Sequence, residues 1–118
     1  MAPPGIEQSL RTAVDEEKRR NGENHIAVAH RLNDLAKYLA SQKRFSDAEP
    51  IMAQAVFVVA YNTLKAGLPK PPEEAAPIIE GYEILLKVLG VDRDERMASL
   101  RATMDRAHVK VNAGRSAW

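Results

Sequence analysis

Catalytic or metal chemistry in this chain would have to start from three histidines, His25, His30 and His108, and from the carboxylates, because there is no cysteine. That absence excludes disulfides and thiolate metal sites. No two histidines form a His-x-x-x-His pair. His30 and Asp34 lie one helical turn apart and could in principle share a metal, but a surface hydrogen bond is the simpler use of that spacing. Glu16–Glu17 and Glu73–Glu74 are adjacent carboxylates. Neighbours in a helix point about 100° apart, so neither pair makes an acid–base couple, and both read as charges near helix ends. The sequence holds no phosphate-binding glycine loop and no Gly-x-Ser-x-Gly elbow. The expectation is a protein that is not an enzyme, with no catalytic residue, metal or cofactor.

Residues suited to binding are easier to find. His30, Asn33 and Lys37 are three and four apart, so a helix would place them on one face, apart from the Leu32, Leu35 and Leu39 stripe. The Asn33 amide is both donor and acceptor, which suits an extended peptide. Lys37 adds a cation for an acidic residue or a chain terminus. A solvated polar face is the plainer reading of the same three residues. Arg101, Arg106, Lys110 and Arg115 form a basic stretch with Trp118 after it. Phosphate contact and base stacking are conceivable there. No aromatics interleave along the stretch, however, and the whole chain carries a net charge of only +1, so nucleic acid is the least favoured partner. From 71 to 95 seven carboxylates stand against Lys87 and Arg93, a net of −5; from 96 to 118 five cations stand against Asp105, a net of +4. Two helix faces that attract each other within the fold explain this more simply than two partner patches.

These residues have to be positioned by helices. The chain has 118 residues, enough for one domain, and 45% are apolar but only 5% aromatic. A core of Leu, Ile, Val, Ala and Met with few aromatics leans helical. No apolar run approaches the ~18 residues that span a bilayer. The opening MAPPGIEQ lacks the basic and apolar regions of a secretory leader. A soluble, cytoplasmic protein with no membrane contact is therefore expected.

Five helical segments are predicted, at about 4–20, 25–41, 46–66, 72–89 and 93–112. On the first, Ile6, Leu10, Ala13, Val14 and Glu17 share one side, and Asp15–Arg19 and Glu16–Arg20 can pair toward solvent. Gly22 and Gly90 supply left-handed caps, and Gly67 marks the end of the third helix. Asn24 is the expected N-cap of the second helix, and residues 42–45 form a turn. Ser46 with Glu49 reads as a capping box for the third helix, and Asp92 with Glu95 as another for the fifth. The third helix is apolar nearly all round and should be buried on several sides. Pro77 is awkward inside the fourth, so the residues before it are expected to form a separate turn. Met97, Leu100, Met104, Ala107 and Val111 mark one seam on the fifth, and the tail 113–118 is expected to fray.

The stretch LNDLAKYLASQKRFSDAEPIMAQAVFVVA resembles a tetratricopeptide repeat, more closely the variant of kinesin light chains. In the pattern Trp-x-x-Leu-Gly-x-x-Tyr, then Ala, Phe and Pro, Leu32 stands for the Trp, Leu35 for the Leu, Ala36 for the Gly and Leu39 for the Tyr. Ala48 matches the Ala, Met52 takes the Phe place, Ala60 replaces the Pro, and Ala55 is a further favoured small position. LNDLA is similar to the variant's LNNLA, and DAEP to its EAEP. Small residues at 36 and 48 would let two helices approach closely where they cross.

The resemblance implies an all-α fold of about five antiparallel helices, stacked as a short solenoid in a single domain, 1–118. Residues 1–22 would be a half repeat or capping helix, 23–67 the best-matched repeat, 71–112 a degenerate repeat and 113–118 a tail. It implies a protein-interaction scaffold whose concave groove is lined by His30, Asn33 and Lys37. A structural subunit that self-associates is the alternative, since a solenoid needs about three repeats and this chain has fewer. Phe57 and Tyr61, four apart, are the candidates for such a contact. A third reading is a regulatory domain of a larger protein, against which the Met1 start and coherent caps argue.

Overall fold

The computed structural model describes residues 4–115, and the ordered elements among them are all helical. They are α1 (Pro4–Asn21), α2 (Ile26–Ser41), α3 (Phe45–Lys65), a 3-10 turn (Glu73–Ala75), α4 (Ala76–Val88) and α5 (Arg93–Arg115). Five helices without a strand are what an aliphatic, aromatic-poor composition favours.

The chain turns where glycine permits it. Gly22, Gly67 and Gly90 have φ of 94°, 72° and 81°, each just past a helix end. An L side chain is strained in that region, and the left-handed residue lets the following amide close the last turn. Thus Leu68 N–H donates to Thr63 O at 3.0 Å and Val91 N–H to Leu86 O at 2.9 Å. Between α2 and α3 no glycine is available, and Lys43 takes φ 60° instead. Pro77 fits without a kink: it occupies the first turn of α4, where no N–H is required, and residues 73–75 form the separate turn expected before it.

Several local expectations are corrected. Helix α2 is capped by His25, not Asn24; the His25 Nδ1 accepts from Ala27 N–H at 3.1 Å. Asn24 instead offers its carbonyl to the Asn62 amide at 2.7 Å. Helix α3 begins at Phe45, earlier than expected, with Arg44 as N-cap and no side-chain capping bond, so the Ser46–Glu49 box does not form. Tertiary contacts decide this. Arg44 is held by Glu7 of α1 and by Asp47, and Phe45 turns inward against the core. Asp92 does act as a cap, accepting from Glu95 N–H at 2.9 Å. Helix α5 continues through Arg115, and 116–118 lie outside the described residues.

The core sits around α3. It packs most extensively on α2, then on α5 and α4, while α1 packs on α2. Leu32, Leu35, Ala36, Leu39, Ala48, Met52 and Ala55 are all buried in one apolar cluster, Ala36 at 3% and Ala48 at 0% exposure. The multi-sided burial of α3 follows from its position: Val56, Val58, Val59 and Ala60 are buried on several sides of it. Helix α5 lies along α3 on a seam rotated from the expected one. Thr103, Ala107 and Val111 are buried, Leu100 and Met104 half-buried, and Met97 exposed. Thr103 can serve as an interface residue because its hydroxyl donates to Ser99 O at 3.0 Å.

Helix α1 is the most polar attachment. Val14 and Glu17 are its buried residues, and Ile6 is exposed. Glu17 accepts from Asn21 at 2.7 Å and pairs with Arg31 at 3.5 Å, while Glu7 pairs with Arg11 at 2.9 Å and with Arg44. Asp15–Arg19 and Glu16–Arg20 form no ion pair among the described residues.

Candidate interaction groove

Helices α2 and α4 touch only sparsely, and a trough of about 360 Å³ lies between them. One wall is Asn33, Ala36, Lys37 and Ala40 of α2. The other is Pro77, Glu80, Gly81, Ile84 and Val88 of α4. Phe45, Met52 and Leu85 complete the apolar lining. Each wall is a run of positions three and four apart, so each is one face of its helix.

The α4 wall is the unusual one. Ile84 is 61% exposed and Val88 53%, with Leu89 beyond them also exposed. The adjoining side of α4 is spent on the core, where Ile78, Tyr82 and Leu86 are buried together with Leu85, which borders the trough. A short helix thus carries apolar residues on two sides and covers only one.

Gly81 sets the depth of the trough. A Cβ built there would lie 2.7 Å from Met52 Cε, so the missing side chain is the space that the methionine tip occupies.

The charges divide by wall. Lys37 stands on the α2 rim and Glu80 on the α4 rim, both exposed. Asn33, half-buried, is the only uncharged hydrogen-bonding side chain in the lining.

Of the three residues predicted to line a groove, the structure brings Asn33 and Lys37 together in this trough. His30 is exposed on the same helix and does not line it. The α4 wall was missed by sequence reasoning, which treated 71–112 as a degenerate repeat. Its signal was present in Pro77, Gly81, Ile84 and Val88, spaced three and four apart alongside a second apolar set.

Two other surfaces bear on function. Phe57 and Tyr61 are half-buried, their rings stacked with centroids 6.5 Å apart. Lys110 of α5 lies 6.0 Å over Phe57 and Lys65 5.7 Å over Tyr61, so cations partly cover this pair. Under α5, the buried Tyr82 hydroxyl donates to Glu49 at 3.3 Å. Burial, and then the Glu49 charge, raises the Tyr82 pKa above the ordinary phenol value. Both groups are satisfied there, so this contact reads as a brace between α3 and α4. No cluster of three or more histidine and carboxylate side chains that could hold a metal occurs among the described residues. No helix among them is long and apolar enough to cross a membrane.

Compared with protein-family models, curated proteins and solved structures, the chain matches none.

Proposed function

We propose that this chain is a protein-interaction module, and that the trough between α2 and α4 holds a peptide segment of a partner protein. The observation that carries the reading is the combination of exposed Ile84 and Val88 with Asn33 and Lys37 across a preformed, apolar-floored gap. A contiguous apolar patch rimmed by polar residues is the usual form of an interaction surface. The trough has a buried floor at Met52 and Leu85 and an open rim at Ile84 and Val88.

A short tetratricopeptide-like stack is the arrangement we infer. Three features support it: the close α2–α3 hairpin with Ala36 and Ala48 buried, α4 lying beside both of those helices, and α5 running along α3. A cytoplasmic location belongs to the same reading, as a chain without cysteine needs no oxidising compartment. Self-assembly is the weaker alternative. The Phe57–Tyr61 pair that would carry it is half-buried and partly covered by Lys65 and Lys110.

The test is selection of binding peptides from a displayed random library. Selected peptides should lose binding to Asn33→Ala/Lys37→Ala and to Ile84→Glu/Val88→Glu proteins whose melting temperatures match wild type. Retained binding by both variants would overturn the groove.

A further inference from the structure

The occupant of this trough can be specified further, on the premise that the trough binds a peptide at all. We infer that it takes an amphipathic α-helix, with aliphatic residues along one side, an acidic residue on the edge beside Lys37 and a basic residue on the edge beside Glu80.

The first argument concerns backbone hydrogen bonds. The α4 wall from Pro77 to Val88 is about 16 Å long, at about 1.5 Å per residue. An extended segment of that length would bring roughly five residues into the trough, at about 3.3 Å each, and each carries an N–H and a C=O. Both walls are helices, whose backbone groups are bonded within the helix beyond the first turn of α4. The lining offers such a segment one neutral amide, Asn33. An extended chain would therefore lose water from the backbone groups that face the floor and find few replacements there. A helix arrives with its backbone already paired, and about three turns of it match the wall.

The second argument concerns shape. The floor residues Ala36 and Met52, and the Gly81 position, keep the centre of the trough low, while Ile84 and Val88 rise on one side. Ridges at three- and four-residue spacing on a third helix can settle between such walls. Aliphatic side chains would fill the floor and cover Ile84 and Val88.

The third argument concerns charge. Lys37 and Glu80 stand on opposite rims, so the trough has an electrostatic left and right. A helix with an acid on one edge and a base on the other meets both charges in one orientation and opposes both in the reverse. A second copy of this chain is a poor source of that helix. Among the described residues, the other exposed large hydrophobics are Ile6 on α1, Leu68 in a loop, Leu89 at the end of α4, and Met97 and Val109 on α5, and they form no continuous helical stripe. The occupant is thus a helix of another protein.

The experiment titrates two synthetic probes into methyl-labelled protein and follows the Ile84, Val88 and Met52 resonances. One probe is a hydrocarbon-stapled helix with leucines a turn apart on one side, glutamate on one flank and lysine on the other. The second has the same composition but two internal prolines, which a helix does not accept. The stapled probe should shift those methyls and bind at least about tenfold more tightly. If the proline probe binds as well or better, the helix is overturned while the groove stands. If neither probe moves the methyls, both are overturned. Exchanging the two flanking charges should weaken the stapled probe about two- to fivefold on wild type. The preference should reverse on Lys37→Glu/Glu80→Lys, whose two sites are exposed and should leave the fold intact. Indifference to the exchange would overturn the assigned polarity.

Discussion

The α2–α3 hairpin and helix α4 use small and large side chains in opposite ways. In the hairpin, Ala36, Ala48 and Ala55 are buried and let two helices close on each other, with Leu32, Leu35 and Leu39 sealed beside them. On α4 the small residue, Gly81, faces a trough, and the large ones, Ile84 and Val88, stand in water. One region has spent its apolar surface on folding. The other has kept some back, on a helix whose core side is already satisfied. Surface left over in this ordered way is where recognition is expected; the hairpin adds Asn33 and Lys37 to the trough, while its buried alanines and leucines serve stability.

The comparison breaks most visibly under truncation. Leu39 is fully buried, so Leu39→Ala should cost about 2–5 kcal/mol, the lost transfer term plus a cavity. Ile84→Ala, removing a larger share of side chain than any conservative change on that wall, should fall within about ±0.5 kcal/mol. Urea unfolding of both variants measures the contrast. A cost for Ile84→Ala comparable to that of Leu39→Ala would mean that the α4 rim is part of the core, and the trough would lose its meaning.

How far this division was legible in the sequence follows from the range of the forces involved. Caps at Gly22, Gly67 and Gly90 are local backbone chemistry, and they stand where the residue type demands. The buried set from Leu32 to Ala55 was readable because helical period and small-residue spacing are also local. The start of α3 was misread because Arg44 answers to Glu7, far away on α1, and Glu49 to Tyr82 on α4. The α5 seam was misread because hydropathy counts Thr103 as polar, although a hydroxyl bonded to its own helix packs as a small apolar group. The trough itself required knowing that α4 settles beside α2, a fact of tertiary packing that no window of residues contains. His30 shared a face with Asn33 and Lys37 in the helical period, yet the trough's α2 wall begins a turn further on, at Asn33.

A smaller effect sharpens the difference between α1 and the rest. Hydrogen bonds from Arg44 hold the Glu7 carboxyl below its ordinary value, and a hydrogen bond from Asn21 does the same for Glu17. A carboxyl with a lowered folded-state pKa stabilises the fold fully above its unfolded value of about 4.5 and loses that contribution as pH falls through the folded value. Since α1 buries little besides Val14 and Glu17, acid should loosen α1 before the hairpin. On going from neutral pH to about pH 3, amide protection factors, referred to the slower intrinsic exchange in acid, should fall across α1 while α2 and α3 stay protected. Loss of protection in all three helices together would make α1 as integral to the core as its neighbours.

The smallest effect is expected at Gly81, and it isolates the trough from the fold. Alanine in a helix interior is favoured over glycine by about 1 kcal/mol, which would stabilise α4. Against this, the new methyl would sit 2.7 Å from Met52 Cε, closer than such atoms approach. The obstacle is the tip of an unbranched, flexible side chain, so it can yield where a backbone atom could not. Its buried stem is enclosed by the hairpin, and the open direction is the trough. The two contributions should nearly cancel in a thermal melt, leaving stability within about 0.5 kcal/mol of wild type. The Met52 methyl should then move into the trough, shift its resonance and weaken the stapled probe several-fold. If Gly81→Ala instead costs more than about 2 kcal/mol, Met52 is locked in place and the floor belongs to the rigid core. If it leaves both stability and probe affinity unchanged, the depth at Gly81 is not what the occupant reads, and recognition rests on the rims at Lys37, Glu80 and Ile84.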